Sequence, residues 1–257
     1  AGSNNTYRTI GLSIQSTTYA DFYYNSVNVR SNNKEDIAFY SNNSNFLNIS
    51  NNNFVIRGNF DDKLSSIGIP YFVTNSTVIT SDYNNYYTGG NNLASWNGTL
   101  CQSISNLRTA NTKDVHSVTY FPAFRNVDNL QTNSPWIDNK GTPQVLVPTD
   151  INGNVRSVDT PDIGAYEYTS TVTPLAGGVY SVGFGGNIPD VETLYSLLSE
   201  AGISGSATFN IIPGSHSNFN LSFKDIPGAG ENDTIVIQSQ SGNPANTILS
   251  FAQDVSS

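Results

Sequence analysis

Three short stretches of similar sequence decide how this chain is expected to fold: Tyr24-Asn25-Ser26-Val27, Asn51-Asn52-Asn53-Phe54 and Tyr83-Asn84-Asn85-Tyr86. Their aligned asparagines, Asn25, Asn52 and Asn84, are 27 and 32 residues apart. Repeats of this length are typical of solenoids, and one coil of a parallel β-helix has roughly this length. Because tight turns accept left-handed Asn, and stacked Asn side chains can hydrogen-bond between coils, we predict a structural Asn ladder. Three unrelated β-turns are the alternative, since Asn is abundant here.

The residues around these stretches predict short strands. Apolar and polar residues alternate through residues 1–90, as Ile10, Leu12 and Ile14 do, in runs bounded by Asn and Gly. Such alternation indicates half-buried strands. No helical window of useful length occurs before about residue 90, so the first part of the chain is predicted to be all-β.

The composition excludes several classes of function. The chain has 257 residues, a net charge of −9 and only 11 basic residues, so nucleic acid and anionic membrane surfaces are not expected partners. One Cys and two His cannot build a disulfide framework or a Cys/His zinc site. No apolar run approaches the roughly 18 residues of a membrane span. With 35 Asn, 32 Ser and 23 Thr, the profile suits an extracellular β-protein without a cofactor.

Residues 88–168 depart from the strand pattern. Gly89-Gly90 opens a long loop, in which the spacing of Ile104, Leu107 and Ala110 predicts one short helix. Residues 126–168 are irregular and rich in Pro, Gly and Asn turns. This composition is typical of a terminal cap, and we predict that these residues close an end of the solenoid.

A second unit is predicted after residues 169–176, whose Thr/Ser/Pro composition is that of a linker. Residues 189–201 have the signals of a helix: Pro189 at the first position, acidic residues in the first turn and Gly202 just after the end. Strands are predicted at 180–182, 207–212, 221–223, 234–237 and 248–251. Their spacing suits successive faces of a β-helix, with the helix covering its first coil.

Three segments between residues 134 and 168 carry a resemblance to a known family. They are Ser-Pro-Trp-Ile-Asp at 134–138, Asp-Ile-Asn-Gly-Asn-Val-Arg at 150–156 and Asp-Ile-Gly-Ala-Tyr-Glu-Tyr at 162–168. Together they resemble the closing segment of large secreted right-handed parallel β-helix proteins of Bacteroidota-type bacteria. Trp136 and Asn152 depart from its usual pattern, in which Ala and Asp stand. Residues 177–250 resemble the opening segment of the same kind of domain.

The resemblance implies an all-β chain built as a right-handed parallel β-helix, with a turn-rich cap region and one short capping helix. Residues 1–168 would be the C-terminal coils and closing cap of one β-helix, 169–176 a linker, and 177–257 the capping helix and first coils of the next. We expect one repeat of a tandem array, or a head-to-tail assembly in which Ser257 meets a copy of Ala1. An arbitrary boundary within a longer protein is the alternative.

Few residues suggest chemistry. The acidic residues of the cap-like segment, Asp138, Asp150, Asp159, Asp162 and Glu167, are interpreted as a solvated, turn-forming set rather than as paired acid and base. Asp150, Asn152 and Asn154 alternate in a Gly-containing loop and supply oxygen donors that calcium prefers. A calcium site is therefore one hypothesis for this loop, and a plain turn is the other.

The tyrosines are the candidates for surface contact. Tyr23, Tyr24, Tyr83, Tyr86 and Tyr87 cannot all face inward on strands. Tyr combines a flat apolar face with a polar tip and is suited to contacts with sugars or proteins. Stacking along the outer wall of the solenoid is the alternative interpretation.

The sequence therefore favours a secreted, non-catalytic segment of a long cell-surface adhesin or filament. Its expected partners are neighbouring copies of itself and a surface or glycan ligand, and gliding-motility adhesins are one implied home. A carbohydrate-active β-helix enzyme and a phage tail-spike-like stalk are the alternatives.

Overall fold

The computed structural model describes residues 8–30, 35–57, 68–126, 128–217, 226–229 and 232–250. The chain divides into two compact units, Ala1–Ser170 and Thr171–Ser257. Leu175 already pairs with Ile203, so the end of the predicted linker belongs to the second unit. The predicted strand at 221–223 and the tail-to-head junction, which involves residues 1–7 and 251–257, lie outside the described residues.

The first unit is a parallel β-helix, as the repeat spacing predicts. Three successive coils each contribute one strand to each of three sheets. The strands are β1 (Ile10–Gln15), β2 (Thr18–Tyr23), β3 (Ser26–Arg30), β4 (Ile37–Asn42), β5 (Asn45–Ser50), β6 (Asn53–Arg57), β7 (Ile69–Thr74), β8 (Val78–Asp82) and β9 (Asn85–Thr88). The sheets β1-β4-β7, β2-β5-β8 and β3-β6-β9 are parallel throughout.

The core between these sheets is aromatic. Phe39 and Tyr71 lie at matched positions of β4 and β7, and Phe54 and Tyr86 at matched positions of β6 and β9. All four side chains are fully buried, with ring centroids 5.7 Å apart for Phe39 and Tyr71 and 6.3 Å for Phe54 and Tyr86. Burying each such ring contributes about 2–3 kcal/mol. Coil stacking therefore places equivalent rings in contact along the axis.

A hairpin and a helix close the far end of this core. Strand β10 (Ala94–Trp96) pairs with β7 and, through the left-handed Asn97-Gly98 turn, with β11 (Thr99–Cys101). Helix α1 (Ile104–Asn111) follows where the spacing predicts it, with Ser103 as its N-cap. Leu107 is fully buried in the core cluster of the coils. The last coil is thus covered by α1.

The turn-rich residues 119–168 are here called the lateral segment. The sequence had suggested that they close an end of the solenoid, but they do not. They lie beside the sheet β3-β6-β9, where Tyr87 packs with Phe121 and Phe124 and the Ala165 N–H donates to the Ser26 hydroxyl. They therefore contact coils one to three from the side. The end position was wrong because turn composition predicts irregular chain but not the surface that it covers.

The second unit is also a stack of parallel strands with one helix. Its elements are β12 (Gly178–Val182), α2 (Val191–Glu200), β13 (Ala207–Ile211), β14 (Gly214–His216), β15 (Ile235–Ser239), a single 3₁₀ turn at Pro244–Asn246 and β16 (Thr247–Leu249). The sheets are β12-β13-β15 and β14-β16. Helix α2 matches the predicted helix 189–201, although Asp190 is its N-cap and Pro189 precedes it. Leu194 and Leu198 join Phe209 in the unit's core.

Candidate functional site

The Asn ladder occupies one corner of the first unit. The Asn25 backbone N–H and Nδ2 donate to Asn52 Oδ1 at 3.0 and 2.8 Å, and Asn52 donates in the same way to Asn84 Oδ1 at 2.9 and 3.0 Å. Residues 114–118 stack on the third coil through backbone bonds and are here called the fourth coil. The Asn84 N–H donates to the Ser117 hydroxyl at 3.0 Å, so the fourth coil continues the ladder with Ser. Asn52 and Asn84 are fully buried. Each side chain replaces the strand bonds that a corner interrupts.

The residue before each ladder Asn is left-handed, with φ of 57°, 62° and 57° at Tyr24, Asn51 and Tyr83. This conformation turns the chain between the second and third sheets. It also rotates the side chain of the left-handed residue out of the strand alternation. Asn tolerates it readily, whereas Tyr must be held in place by other contacts.

Three of the five tyrosines predicted as surface contacts are buried, and for them that prediction is wrong. Tyr24 lies under the lateral segment: its hydroxyl donates to the Thr142 carbonyl at 2.9 Å, and the Arg156 guanidinium lies 3.8 Å from its ring centroid. Burial raises the pKa of Tyr24 to about 12, which keeps the hydroxyl a donor. Tyr86 is in the aromatic core, and Tyr87 is covered by the lateral segment.

Tyr23 and Tyr83 are half-buried and remain partly accessible. The Tyr83 ring stacks on His116, with centroids 4.5 Å apart and an angle of 10° between the planes. His116 Nδ1 lies 2.8 Å from Asp82 Oδ2. This pair therefore fastens the fourth coil to the third at the edge of the β2-β5-β8 sheet.

The loop proposed for calcium is closed by its own hydrogen bonds. Asp150 Oδ1 accepts from the backbone N–H groups of Asn152 and Asn154, and Oδ2 accepts from Asn154 Nδ2 and from the Glu167 N–H. Although partial burial acts to raise it, these donors hold the pKa of Asp150 below its usual range. Asn154 presents its amide N–H₂ rather than its oxygen to the carboxylate. The geometry is that of a turn, and the calcium hypothesis is not supported.

Asp150, Asp162 and Glu167 are built into the fold rather than solvated, which corrects the sequence interpretation for these three, whereas Asp159 is exposed. Arg156 is 5% exposed and pairs with Glu167 at 3.2 Å. Glu167 also accepts from the Ser157 and Asp162 N–H groups. Gly164 has a φ of 105°, and a Cβ there would lie 2.7 Å from the Ser26 hydroxyl. The motif of residues 150–168 thus fits the lateral segment closely onto the first coil.

Asp162 should make the stability of the first unit depend on pH. Burial of its carboxyl, together with the nearby carboxylates of Glu167 and Asp138, raises the pKa of Asp162 to about 7, against the opposing N–H donors of Asn139 and Tyr168. In the unfolded chain the group would titrate near 4. The folded state therefore keeps a proton between about pH 4 and 7 that the unfolded state has lost, and stability falls as pH rises through 7.

We expect the first unit to be more stable at pH 5 than at pH 8, by at most about 3 kcal/mol from this group. Urea unfolding followed by Trp fluorescence measures the effect. Asp162→Asn should reduce the pH dependence, and Asp159→Asn, at an exposed position of the same segment, should preserve it. Equal pH slopes in all three proteins would contradict the assignment.

A buried carboxylate that the sequence did not single out closes the core at the fourth coil. Asp114 is 0% exposed and accepts hydrogen bonds from the hydroxyls of Ser81 (2.9 Å), Tyr86 (2.9 Å) and Ser117 (2.6 Å) and from Asn111 Nδ2 (2.6 Å). Burial raises the pKa of Asp114 despite these donors. The group joins α1, two coils and the end of the Asn ladder, and its role is structural.

The outer face of the sheet β2-β5-β8 carries an exposed apolar line, here called the aromatic ridge and formed by Tyr19, Phe46 and Ile79. They are 76%, 40% and 51% exposed. The rings of Tyr19 and Phe46 stack with centroids 4.8 Å apart and 14° between their planes. Ile79 lies where the register between β5 and β8 shifts by one residue.

The two ridge aromatics have left-handed backbones within their strands, with φ of 61° at Tyr19 and 58° at Phe46. This conformation costs roughly 1–2 kcal/mol for a residue with a Cβ. Strained residues concentrate at functional sites when the fold holds them in place. Matched strain on two exposed aromatic residues therefore marks this face as the best candidate site of the first unit.

Beside the ridge runs a polar ladder formed by Asp21, Asn48 and Thr80. Asn48 Nδ2 donates to Asp21 Oδ1 at 2.8 Å, and the Thr80 hydroxyl donates to Asn48 Oδ1 at 2.7 Å. Both bonds are exposed to solvent. The ridge and the polar ladder together form a flat face with apolar and hydrogen-bonding rows side by side.

Sequence reasoning missed the ridge, although one signal was available. Tyr19 and Phe46 are 27 residues apart, as are Asn25 and Asn52. Aligning the first two coils on their asparagines places the two rings at one position of the wall. The left-handed residues could not be read from the alternation, which they break.

Comparison with family models, with curated proteins and with solved structures finds no match to this chain. The fold therefore identifies the class, a parallel β-helix repeat protein, and the ridge and ladder are features of this chain. In the part of the chain that the structure describes, there is no group of three or more His, Cys, Asp or Glu side chains that could hold a metal ion. The described helices are all too short or too polar to cross a membrane.

Proposed function

We propose that this chain is a non-catalytic, structural and adhesive segment of a long, secreted cell-surface protein or filament. Because residues 134–168 resemble a segment of such proteins, we propose that the chain is part of a large surface adhesin of Bacteroidota-type bacteria, a class that includes the adhesins used in gliding. The engagement of Asp114, Asp162 and Glu167 in holding coils and turns together supports a structural role for the charged groups.

The observation that carries the adhesive role is the aromatic ridge. Soluble proteins seldom hold large rings in strained, exposed positions unless a partner covers them. Tyr19 is 76% exposed and stacks in register with Phe46 on a regular wall, beside a row of hydrogen-bonding groups. A surface or glycan ligand is the proposed partner of this wall.

Neighbouring copies are the second proposed partner. Successive coils bind one another through the same backbone bonds and the same Asn contacts, so coils of two copies can be joined by bonds of this kind. This part of the proposal predicts end-to-end association, with strands continuing the parallel sheets.

Two measurements test the proposed function. In negative-stain images we expect fibres or end-to-end assemblies, and with a panel of polysaccharides we expect binding without release of unsaturated or reducing ends. Turnover of any polysaccharide would replace the proposal with a carbohydrate-active β-helix enzyme. Uniform trimeric spikes would favour a tail-spike-like stalk.

A further inference from the structure

The outer face of the sheet β2-β5-β8 has the chemistry of a sugar-binding surface. The exposed edges of the stacked Tyr19 and Phe46 rings and the Ile79 side chain supply apolar contact, since these three side chains are 76%, 40% and 51% exposed. The polar ladder supplies an amide, a carboxylate and a hydroxyl on the same wall. Pyranose rings present apolar C–H faces and hydroxyl groups in close alternation, and aromatic rings with polar neighbours complement both.

The charged residues of this face limit the classes of ligand that it can bind. The three strands of this face, all within the described residues, contain no Lys or Arg, and their charged side chains are Asp21 and Asp82. An anionic polymer would meet two carboxylates and no cation, and a second copy would place like charges opposite each other. The face is therefore unsuited to acidic glycans and to self-association.

A cationic peptide is a poorer fit than a sugar because these strands carry only two carboxylates and Asp82 is already paired with His116. Asp82 accepts from the N–H groups of Tyr83 and His116 and contacts His116 Nδ1, and Asp21 accepts from Asn48. What remains exposed are rings, amides and hydroxyls, which bind hydroxyl groups without needing a charge.

We propose that the aromatic ridge and the polar ladder bind an uncharged polysaccharide on the outer face of β2-β5-β8. This inference rests on the proposed adhesive function and names the class of its ligand. A sugar ring packs against the outward edges of Tyr19 and Phe46, and its hydroxyls exchange hydrogen bonds with Asp21, Asn48 and Thr80.

The test compares the full chain with two double variants by affinity electrophoresis in gels that contain one soluble polysaccharide each. The neutral probes are mixed-linkage β-glucan, xyloglucan, galactomannan and dextran, and the acidic probes are alginate and polygalacturonate. Tyr19→Asn with Phe46→Asn removes the ridge, and Asn suits the left-handed backbone at both positions. Tyr40→Asn with Phe72→Asn is the matched control, since that half-exposed aromatic pair lies on the neighbouring sheet β1-β4-β7.

We expect the wild type to be retarded by at least one neutral probe and not by the acidic ones. The ridge variant should bind that probe at least about ten-fold more weakly, and the control variant within about two-fold of wild type. Circular dichroism melts check that both variants fold. If the ridge variant does not fold, Thr80→Val replaces it in the test. This change keeps the side-chain shape and removes a hydroxyl of the polar ladder, so it should also weaken binding of the neutral probe relative to wild type.

Other outcomes overturn the inference in ways that separate it from the proposed function. Binding that prefers acidic probes, or that survives loss of the ridge, refutes the site and ligand class but leaves an adhesive segment. Retardation by none of the six polysaccharides refutes the inference, and adhesion to cells or to cationic protein would then identify another ligand. Cleavage of a probe overturns the proposed function itself.

Discussion

Replacing Asn52 with alanine is expected to lower the free energy of unfolding of the first unit by about 3–5 kcal/mol. The Asn52 amide accepts from the N–H and side chain of Asn25, and donates to Asn84 Oδ1 and to the Phe22 carbonyl. Alanine would leave these groups unpaired at a buried corner. Each buried group that loses its partner costs about 1–3 kcal/mol.

Urea unfolding followed by tryptophan fluorescence measures this effect, because the chain's two Trp residues, Trp96 and Trp136, both lie in the first unit. Asn45→Ala is the matched control: it removes an exposed Asn of the same coil, whose Oδ1 accepts from Thr77. We expect it to cost less than about 1 kcal/mol. A similar loss in both variants would show that the corner ladder contributes no more than a surface bond.

The second large effect is expected at Asp114. Asp114→Ala removes a carboxylate that accepts from three hydroxyls and one amide, and it leaves a cavity among Ser81, Tyr86 and Ser117. Losing one partner of a buried charged network costs about 3–5 kcal/mol. The fourth coil and α1 should loosen first, because the carboxylate holds Asn111 of α1.

Asp114→Asn keeps the shape, and the hydroxyls that face it can rotate to accept from the new amide. It should therefore cost only about 1–2 kcal/mol. Hydrogen exchange of residues 104–118 in the three proteins resolves where stability is lost. If Asp114→Ala and Asp114→Asn are equally destabilised, or if exchange is unchanged at α1, the network is not what holds this end.

Sequence reasoning recovered the parts of the fold that local patterns encode. The spacing of Asn25, Asn52 and Asn84 is the length of a coil, and the caps and apolar spacing of α2 and α1 mark the helices. Strand alternation likewise predicted β1 and β13. In each case the signal lies within a few residues or repeats with the coil.

The predictions that failed concern features that depend on contacts between residues far apart in the sequence. Tyr24 is buried because Thr142, 118 residues later, accepts its hydroxyl and Arg156 covers its ring. Tyr19 and Phe46 are exposed because a left-handed residue shifts the alternation, which no propensity of Tyr or Phe predicts. Asp114 was not singled out, since two of its partners, Ser81 and Tyr86, lie about 30 residues earlier in the chain and only the coil stacking brings them to it.

The return of the lateral segment to the first coil has a mechanical consequence. Arg156 and Ala165 bind Tyr24 and Ser26, so the first coil and the end of the unit are fastened directly to each other. Tension applied between them runs through this fastening rather than through the stack. Coils two to four then stay unloaded until it breaks, so a pulling force would not unwind them first.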